Sequence, residues 1–253
     1  MRMILVLLAA LLWPAVVAAE DITNRERSFV RALDLFETAD NPEQYREAAK
    51  EFESILADGF RSGAVYYNLG NAYFRAGEYG RAILNYRKAK PYLPRDPYLK
   101  ANLQQARAAA PGKLADPPVT WWSHVLFWSE WVSFPTKAVT CGIALCGAAL
   151  VLVLAVTIRV SRLYWLAPAM LAIGVVIGVD VVVNNAEAIG NQRAVVIGET
   201  VALKGIGNSY EPAFDQPLRD GAEFQVLSVS SDWTLGRFEG IGDGWVRNDF
   251  IAR

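Results

Sequence analysis

The sequence predicts a multidomain membrane protein with an all-α repeat unit, a two-helix transmembrane hairpin and a small all-β barrel at its C-terminal end. Three observations support this prediction: a helix-turn-helix pattern in the first half, two long apolar runs, and short alternating strands separated by glycine-rich turns. Of the 253 residues, 53% are hydrophobic, and they are segregated into blocks. This segregation favours separate units over one large core.

The N-terminal segment, residues 1–19, has the pattern of a signal peptide. Arg2 supplies a positive charge, and the apolar run that follows it is too short to span a bilayer. Val17 and Ala19 are small residues at the positions that signal peptidase requires before Glu20. We expect cleavage after Ala19, with an uncleaved anchor as the alternative, and export of the segment that follows.

Residues 20–112 are predicted to form paired helices. Aromatic, small and apolar residues recur there at fixed spacing, and a proline ends the pattern. These residues are Tyr66, Leu69, Gly70, Tyr73, Ala82, Tyr86, Ala89 and Pro94. The pattern strongly resembles the tetratricopeptide repeat, a helix-turn-helix unit of about 34 residues. The small residues let two helices approach closely, and the larger ones fill the seam between them.

A degenerate copy precedes this repeat, and a closing helix follows it. Ala48 and Phe52 occupy, one repeat earlier, the positions of Ala82 and Tyr86. Residues 96–110 carry apolar residues on one side and polar residues on the other, which resembles the helix that caps such arrays.

The resemblance implies a peptide-binding groove lined by the first helix of the complete repeat. On this sequence the groove would carry Tyr67, Asn71 and Phe74, with Asn68 beside them. Asn71 resembles an asparagine that hydrogen-bonds the main chain of ligands in that family. Helix packing alone explains the same residues equally well, so the fold implies a platform without choosing a ligand.

Residues 113–136 are predicted to be a linker and a tryptophan-rich helix that lies in the membrane interface. The only histidine, His124, lies among four tryptophans: Trp121, Trp122, Trp128 and Trp131. Apolar residues cover most of the helical circumference, which suits the headgroup layer better than a soluble surface. The alternative is an aromatic cage for a cation, but aromatic clustering alone does not specify one.

Two apolar runs, residues 137–158 and 163–183, are each long enough to span the hydrocarbon layer of roughly 30 Å as a helix. The connection between them, residues 159–162, contains Arg159 and Arg162, so the positive-inside rule places it in the cytoplasm. Both ends of the chain then face outward, in agreement with the export signal.

Small residues at matching depth predict that the two spans pack on each other. They are Gly142 and Cys146 in the first span and Gly174 and Gly178 in the second. A homodimer through Gly174 and Gly178 is the alternative. Asp180 lies near the end of the second span, and we expect an interfacial, hydrated position for it.

Residues 190–253 alternate short strands with glycine-rich turns, as in a small barrel. An Asp-Gly turn at 220–221, an Asp-Trp pair at 232–233 and a Gly-Trp-Val run at 244–246 resemble bacterial SH3-like domains. The resemblance implies an aromatic groove formed by Tyr210, Trp233 and Trp245. Alternatively, the two tryptophans belong to the core of the domain.

No residue pattern supports catalysis, a cofactor or a metal site. The chain has a single histidine, and its two cysteines, Cys141 and Cys146, lie within an apolar run. A net charge of -1 and the lack of a Lys/Arg run argue against nucleic-acid binding. We therefore expect a non-enzymatic protein without a cofactor or bound metal.

The order of these segments resembles the BatE-type proteins of bacterial aerotolerance operons. The resemblance implies a location in the bacterial inner membrane, with the repeats and the SH3-like domain in the periplasm. It also implies partners, namely membrane proteins with von Willebrand A-type domains and a MoxR-type ATPase. We expect a scaffold or adaptor in an aerotolerance or envelope-stress complex. The alternative is an envelope receptor whose SH3-like domain binds peptidoglycan or wall peptides.

Overall fold

The computed structural model describes residues 22–57, 59–112, 128, 131–158, 163–184 and 193–253. Within these ranges, seven α-helices precede a five-stranded antiparallel sheet, as expected for a helical unit, two apolar helices and a small β-domain. The helices are α1 (22–38), α2 (Pro42–Leu56), α3 (Gly63–Arg75), α4 (Tyr79–Ala89), α5 (Pro97–Ala109), α6 (Phe134–Ile158) and α7 (Leu163–Asn184). The strands are β1 (Arg193–Val196), β2 (Glu223–Val229), β3 (Trp233–Phe238), β4 (Gly242–Arg247) and β5 (Ile251–Ala252). The predicted signal peptide, the connection 159–162, and Trp121, Trp122 and His124 lie outside the described residues.

Local sequence signals explain where the helices of the helical unit, α1–α5, begin. Asn41 caps α2 by accepting a hydrogen bond from the Gln44 N–H, and a proline follows it in the first turn. Asp96 caps α5 in the same way and is also followed by a proline. Between α3 and α4 the chain turns at Gly77, whose φ of 79° favours glycine.

The core of the helical unit lies between its paired helices. A Cβ atom added to Gly70 would lie 2.6 Å from the ring of Tyr86, so only glycine allows α3 and α4 to approach this closely. Phe52 extends this core into α2, and Leu99 and Leu103 cover its other end from α5. The apolar face predicted for the closing helix is therefore buried.

Helices α6 and α7 pack on each other as a hairpin. Both are long and apolar enough to cross a membrane, and most of their side chains are exposed. The first of them begins at Phe134, inside the segment that the sequence assigned to the interfacial linker, because Pro135 is tolerated in the first turn of a helix.

The β-domain, residues 193–253, is built on an antiparallel sheet with the strand order β4-β3-β2-β1-β5. A bulge between Val226 and Ser228 bends β2. The core of the domain includes Phe224 and Phe238, whose stacked rings lie 4.6 Å apart, and Val246.

Candidate binding surfaces and the interface that joins them

A partly buried ion cluster joins the β-domain to the helical unit. Glu223, at the start of β2, accepts two hydrogen bonds from Arg107 of α5, at 2.6 and 3.0 Å, and one from Arg87 of α4, at 3.2 Å. Burial by itself would raise the pKa of Glu223, but the Arg107 hydrogen bonds and the nearby arginine charges outweigh it and lower that pKa. The carboxylate therefore stays charged between the two units.

Asp220 of the β-domain supplies a missing helix cap to α4. The N-cap residue of α4 is Glu78, and its side chain makes no capping hydrogen bond. Instead, the Asp220 carboxylate accepts a hydrogen bond from the Gly80 N–H at 2.9 Å and one from the Gly198 N–H at 3.1 Å. A carboxylate in this position satisfies a backbone donor and favours the positive end of the helix dipole.

Glycines let the two backbones meet at this joint. A Cβ atom on Gly80 would overlap the carbonyl oxygen of Val196, and one on Gly112 would overlap that of Arg219. The Gly112 N–H donates to the carbonyl oxygen of Asp220 at 2.9 Å. The joint also has an apolar part, since Val195 of β1 lies in the core of the helical unit. The β-domain is thus packed on α4 and α5.

The helical unit also contacts the start of the hairpin. The Phe134 N–H donates to the Pro91 carbonyl oxygen at 2.7 Å, and the Phe134 ring lies 6.2 Å from that of Tyr92. The guanidinium carbon of Arg95 lies over the Trp131 ring, 5.2 Å from the ring centre. These contacts place the helical unit beside the first turn of α6.

The predicted peptide groove is a half-buried cluster. The Asn71 Oδ1 atom accepts hydrogen bonds from the Tyr86 hydroxyl at 2.8 Å and from the Asn102 amide at 2.9 Å. Asn102 also donates to the Tyr67 hydroxyl at 3.1 Å. This acceptor of Asn71 is therefore used to hold α3, α4 and α5 together. Asn102 is a member of the cluster that was not predicted, although its place on the polar side of α5 was visible.

The other two predicted groove residues lie on the same helix. Asn68 donates to the carbonyl oxygen of Ala64, within its own helix. The Phe74 ring packs edge-on against Tyr79, with ring centres 5.6 Å apart. Both side chains are partly exposed, so this surface offers aromatic edges more than free amides.

The aromatic residues predicted in the β-domain lie outside its core. Trp233 and Trp245 alternate with the buried Thr234 and Val246, so both tryptophans project from the opposite face of the sheet and are half-buried. The interpretation of these tryptophans as core residues is therefore wrong. Tyr210 is 53% exposed and lies in the loop that follows Leu203, which pairs with Trp245.

Two of the tryptophans predicted to lie in the membrane interface, Trp128 and Trp131, are among the described residues, and each faces a cation. Lys137 lies 5.9 Å from the ring centre of Trp128, and Arg95 covers Trp131 as described above. Trp131 is 59% exposed next to the start of α6.

Of the small residues predicted to lie between α6 and α7, those on α7 lie at the interface and those on α6 do not. Gly174 faces α6, where an added Cβ atom would lie 2.8 Å from Leu145, and Gly178 faces Cys141. Gly142, in contrast, has open space beside it, and Cys146 is exposed.

The stripe on α6 runs instead through Lys137, Cys141, Ala144, Ala148 and Ala155. This observed stripe is offset by one residue from the predicted stripe through Gly142 and Cys146, which corresponds to a rotation of about 100° around the helix. The Cys141 thiol donates to the Gly174 carbonyl oxygen at 3.3 Å, which supports this rotation.

The expectation of a hydrated position for Asp180 is also wrong. Its exposure is 0%, and it forms an ion pair of 2.9 Å with Lys137, whose side chain is 3% exposed. Lys137 lies on the inward stripe of α6, so the two charges meet between the helices and not at the surface. A buried carboxylate needs such a partner.

The described residues contain no group of three His, Cys, Asp or Glu side chains placed to hold a metal ion. Comparisons of the chain with protein-family models, curated proteins and solved structures gave no match. The assignment of a function therefore depends on the geometry of the chain itself and on the resemblances in its sequence.

Proposed function

We propose that this chain is a non-enzymatic scaffold of the bacterial inner membrane that holds protein partners in the periplasm. The observation that supports the proposal best is the joint at Glu223 and Asp220, because it fastens the β-domain to the helical unit beside the membrane hairpin. Two binding modules held in a fixed relation to a membrane anchor suit a platform. Neither module needs a reaction centre for this role.

Two outward surfaces are available to partners. The first is the half-buried Tyr67 and Asn71 cluster, beside which Tyr98 is 73% exposed. The second is the outer face of the sheet, where the half-buried Trp233 and Trp245 accompany the exposed side chain of Ser228, which pairs with Leu235 on the same face. Partly exposed aromatic residues are frequent anchors of protein interfaces.

The segment order supports a particular setting for the scaffold. It resembles the BatE-type proteins, in which a tetratricopeptide unit and an SH3-like domain flank the membrane spans. We propose membrane partners with von Willebrand A-type domains and a MoxR-type ATPase system, in an aerotolerance or envelope-stress complex. The signal-like segment 1–19 and the basic connection 159–162 support an orientation with both modules in the periplasm.

Site-specific photo-crosslinking in cells tests the scaffold. A benzophenone amino acid would replace Tyr98 on the helical surface or Ser228 on the sheet surface, with Lys50 on the exposed side of α2 as the control position. We expect discrete adducts with membrane proteins at the first two positions and not at Lys50. Adducts at neither surface, or equal adducts at all three positions, would contradict the proposal.

The half-buried position of Trp233 and Trp245, on the sheet face opposite the core, favours a second candidate, an envelope receptor for peptidoglycan or wall peptides. Aromatic faces on an open sheet surface suit such ligands. The full chain in neutral detergent would be sedimented with purified peptidoglycan. Retention that is lost in Trp233→Ala and Trp245→Ala, but kept in Ile241→Ala, would favour the receptor over the scaffold.

A further inference from the structure

A cationic pocket lies on the helical unit, away from both surfaces described above. It has a volume of about 400 Å³ and opens between α2, α3, α4 and the C-terminal strand β5. Its polar lining includes Arg61, Arg81 and Lys88, together with Tyr66 and Tyr73. The size is that of a site for a small molecule or a headgroup.

The lining carries more positive than negative charge. Its acidic side chain is Glu53, which accepts a hydrogen bond from the Tyr73 hydroxyl. Arg81 donates to the same hydroxyl at 3.3 Å and pairs with Glu78 outside the pocket at 3.2 Å. Among the lining side chains other than that of Arg253, three cations thus face one carboxylate.

Lys88 is the central cation of the pocket. Its ammonium donates to the backbone oxygen of Arg253 at 2.7 Å. Burial lowers the pKa of Lys88, and the positive charges of Arg61 and Arg87 lower it further. A bound anion would offset both costs, because it would neutralise this excess of positive charge.

The pocket lies close to the membrane end of the helical unit. The ring of Tyr66, in its wall, lies 6.3 Å from that of Tyr92, which in turn packs on Phe134 at the start of α6. A lipid headgroup beside the hairpin is therefore within the reach of this region.

We infer that the pocket binds a phosphate group, with Lys88, Arg61 and Arg81 as its cationic donors. Arginine forks and a lysine point charge are the usual ligands of phosphate, and the excess positive charge matches a group with up to two negative charges. The phosphate can come from the headgroup of an anionic phospholipid or from a small soluble phosphate compound.

Two binding measurements on the full chain separate these sources. In the first, the chain in a neutral detergent is titrated calorimetrically with glycerol phosphate. In the second, native mass spectrometry counts phosphatidylglycerol retained after release from nanodiscs of mixed phosphatidylglycerol and phosphatidylcholine. Binding in the first measurement indicates a soluble phosphate, and selective retention in the second indicates a headgroup.

Two variants test the assignment of the site. We expect Lys88→Gln and Arg61→Gln each to weaken binding about tenfold, and Lys100→Gln, on the exposed side of α5, to leave it unchanged. Arg61 is exposed, so its variant keeps the test valid if Lys88→Gln fails to fold. The inference is overturned if neither probe binds, or if both pocket variants bind as tightly as the unchanged chain.

Discussion

Two carboxylates, one partly buried and one fully buried, form ion pairs between the parts of this molecule, and their surroundings differ. Glu223 joins the β-domain to the helical unit through two arginines, with several hydrogen bonds and a partly exposed rim. Asp180 joins the two helices of the hairpin through one lysine, in an apolar interface with an exposure of 0%. The joint between the units thus distributes its charges over two arginines, whereas the described ion pair of the hairpin lies beside an interface of small apolar side chains.

The largest expected effect is the loss of the hairpin pair. Asp180→Ala leaves the charge of Lys137 buried without its carboxylate, at a cost of about 3–5 kcal/mol in the free energy of unfolding. Unfolding of the full chain in detergent, followed by circular dichroism, measures it. The double variant Asp180→Leu with Lys137→Met should recover most of the loss, because it removes both charges. An Asp180→Ala variant as stable as the unchanged chain would mean that the pair contributes nothing.

The second effect is at the joint between the units. Glu223→Gln removes the charge that Arg87 and Arg107 share, and we expect a cost of about 1.5–3 kcal/mol. The control is Asp243→Asn, which breaks the exposed pair of 2.9 Å with Arg237 and should cost less than about 1 kcal/mol. Chemical denaturation of the full chain measures both variants. Equal costs would contradict the burial of Glu223 as the cause.

The packing of the hairpin gives a third test. Gly174→Leu forces a large side chain against Leu145, and overpacking of this kind costs about 1–3 kcal/mol. Gly142→Leu enters open space and should leave the stability of the hairpin unchanged. The same detergent unfolding assay compares them. If Gly142→Leu is the more damaging variant, the stripe on α6 is the one that the sequence predicted.

The two regions of the molecule were unequally predictable from sequence. The pairing of the helices followed from local spacing, because Gly70 and Tyr86 belong to one helix pair and meet across one turn. The hairpin followed from length and hydropathy, but the rotation of α6 did not. Small residues recur at helical spacing both in the predicted stripe, Gly142 and Cys146, and in the observed stripe through Cys141. Only contact with α7 decides which of these two faces is buried.

The joint between the units was not predicted, because it connects distant parts of the chain. Asp220 lies 140 positions after Gly80, and neither residue has a pattern that points to the other. Two weak signals were present: α4 lacks a Ser, Thr, Asp or Asn at its N-cap, and Arg87 shares a helix face with the apolar Ile83 and Leu84, which precede it by four and three positions. In the β-domain, strand alternation could have placed Trp233 and Trp245 on one face.

Acid should loosen the joint. The pKa of Glu223 is lowered in the folded chain, so its contribution to stability is present above its unfolded pKa of about 4.3 and is lost as the pH falls through the folded value. We expect the protection of β1 against proteolysis to decrease below about pH 4. Glu223→Gln should show less of this decrease. Identical acid profiles for both chains would assign the effect to other carboxylates.

The smallest and most specific effect concerns the shared helix cap. Asp220→Ala should cost about 1 kcal/mol, as should Asn41→Ala, which removes the cap of α2 within the helical unit. The two variants differ in which parts of the chain lose stability, because only Asp220 links the β-domain to the helical unit.

The β-domain completes α4 and so forms one folded body with the helical unit. Hydrogen exchange on the full chain, read by mass spectrometry, tests this coupling most directly. We expect Asp220→Ala to lower protection in the first turn of α4 and in β1 together, whereas Asn41→Ala should lower it in α2 alone. Unchanged protection of α4 in Asp220→Ala would show that the β-domain does not complete this helix.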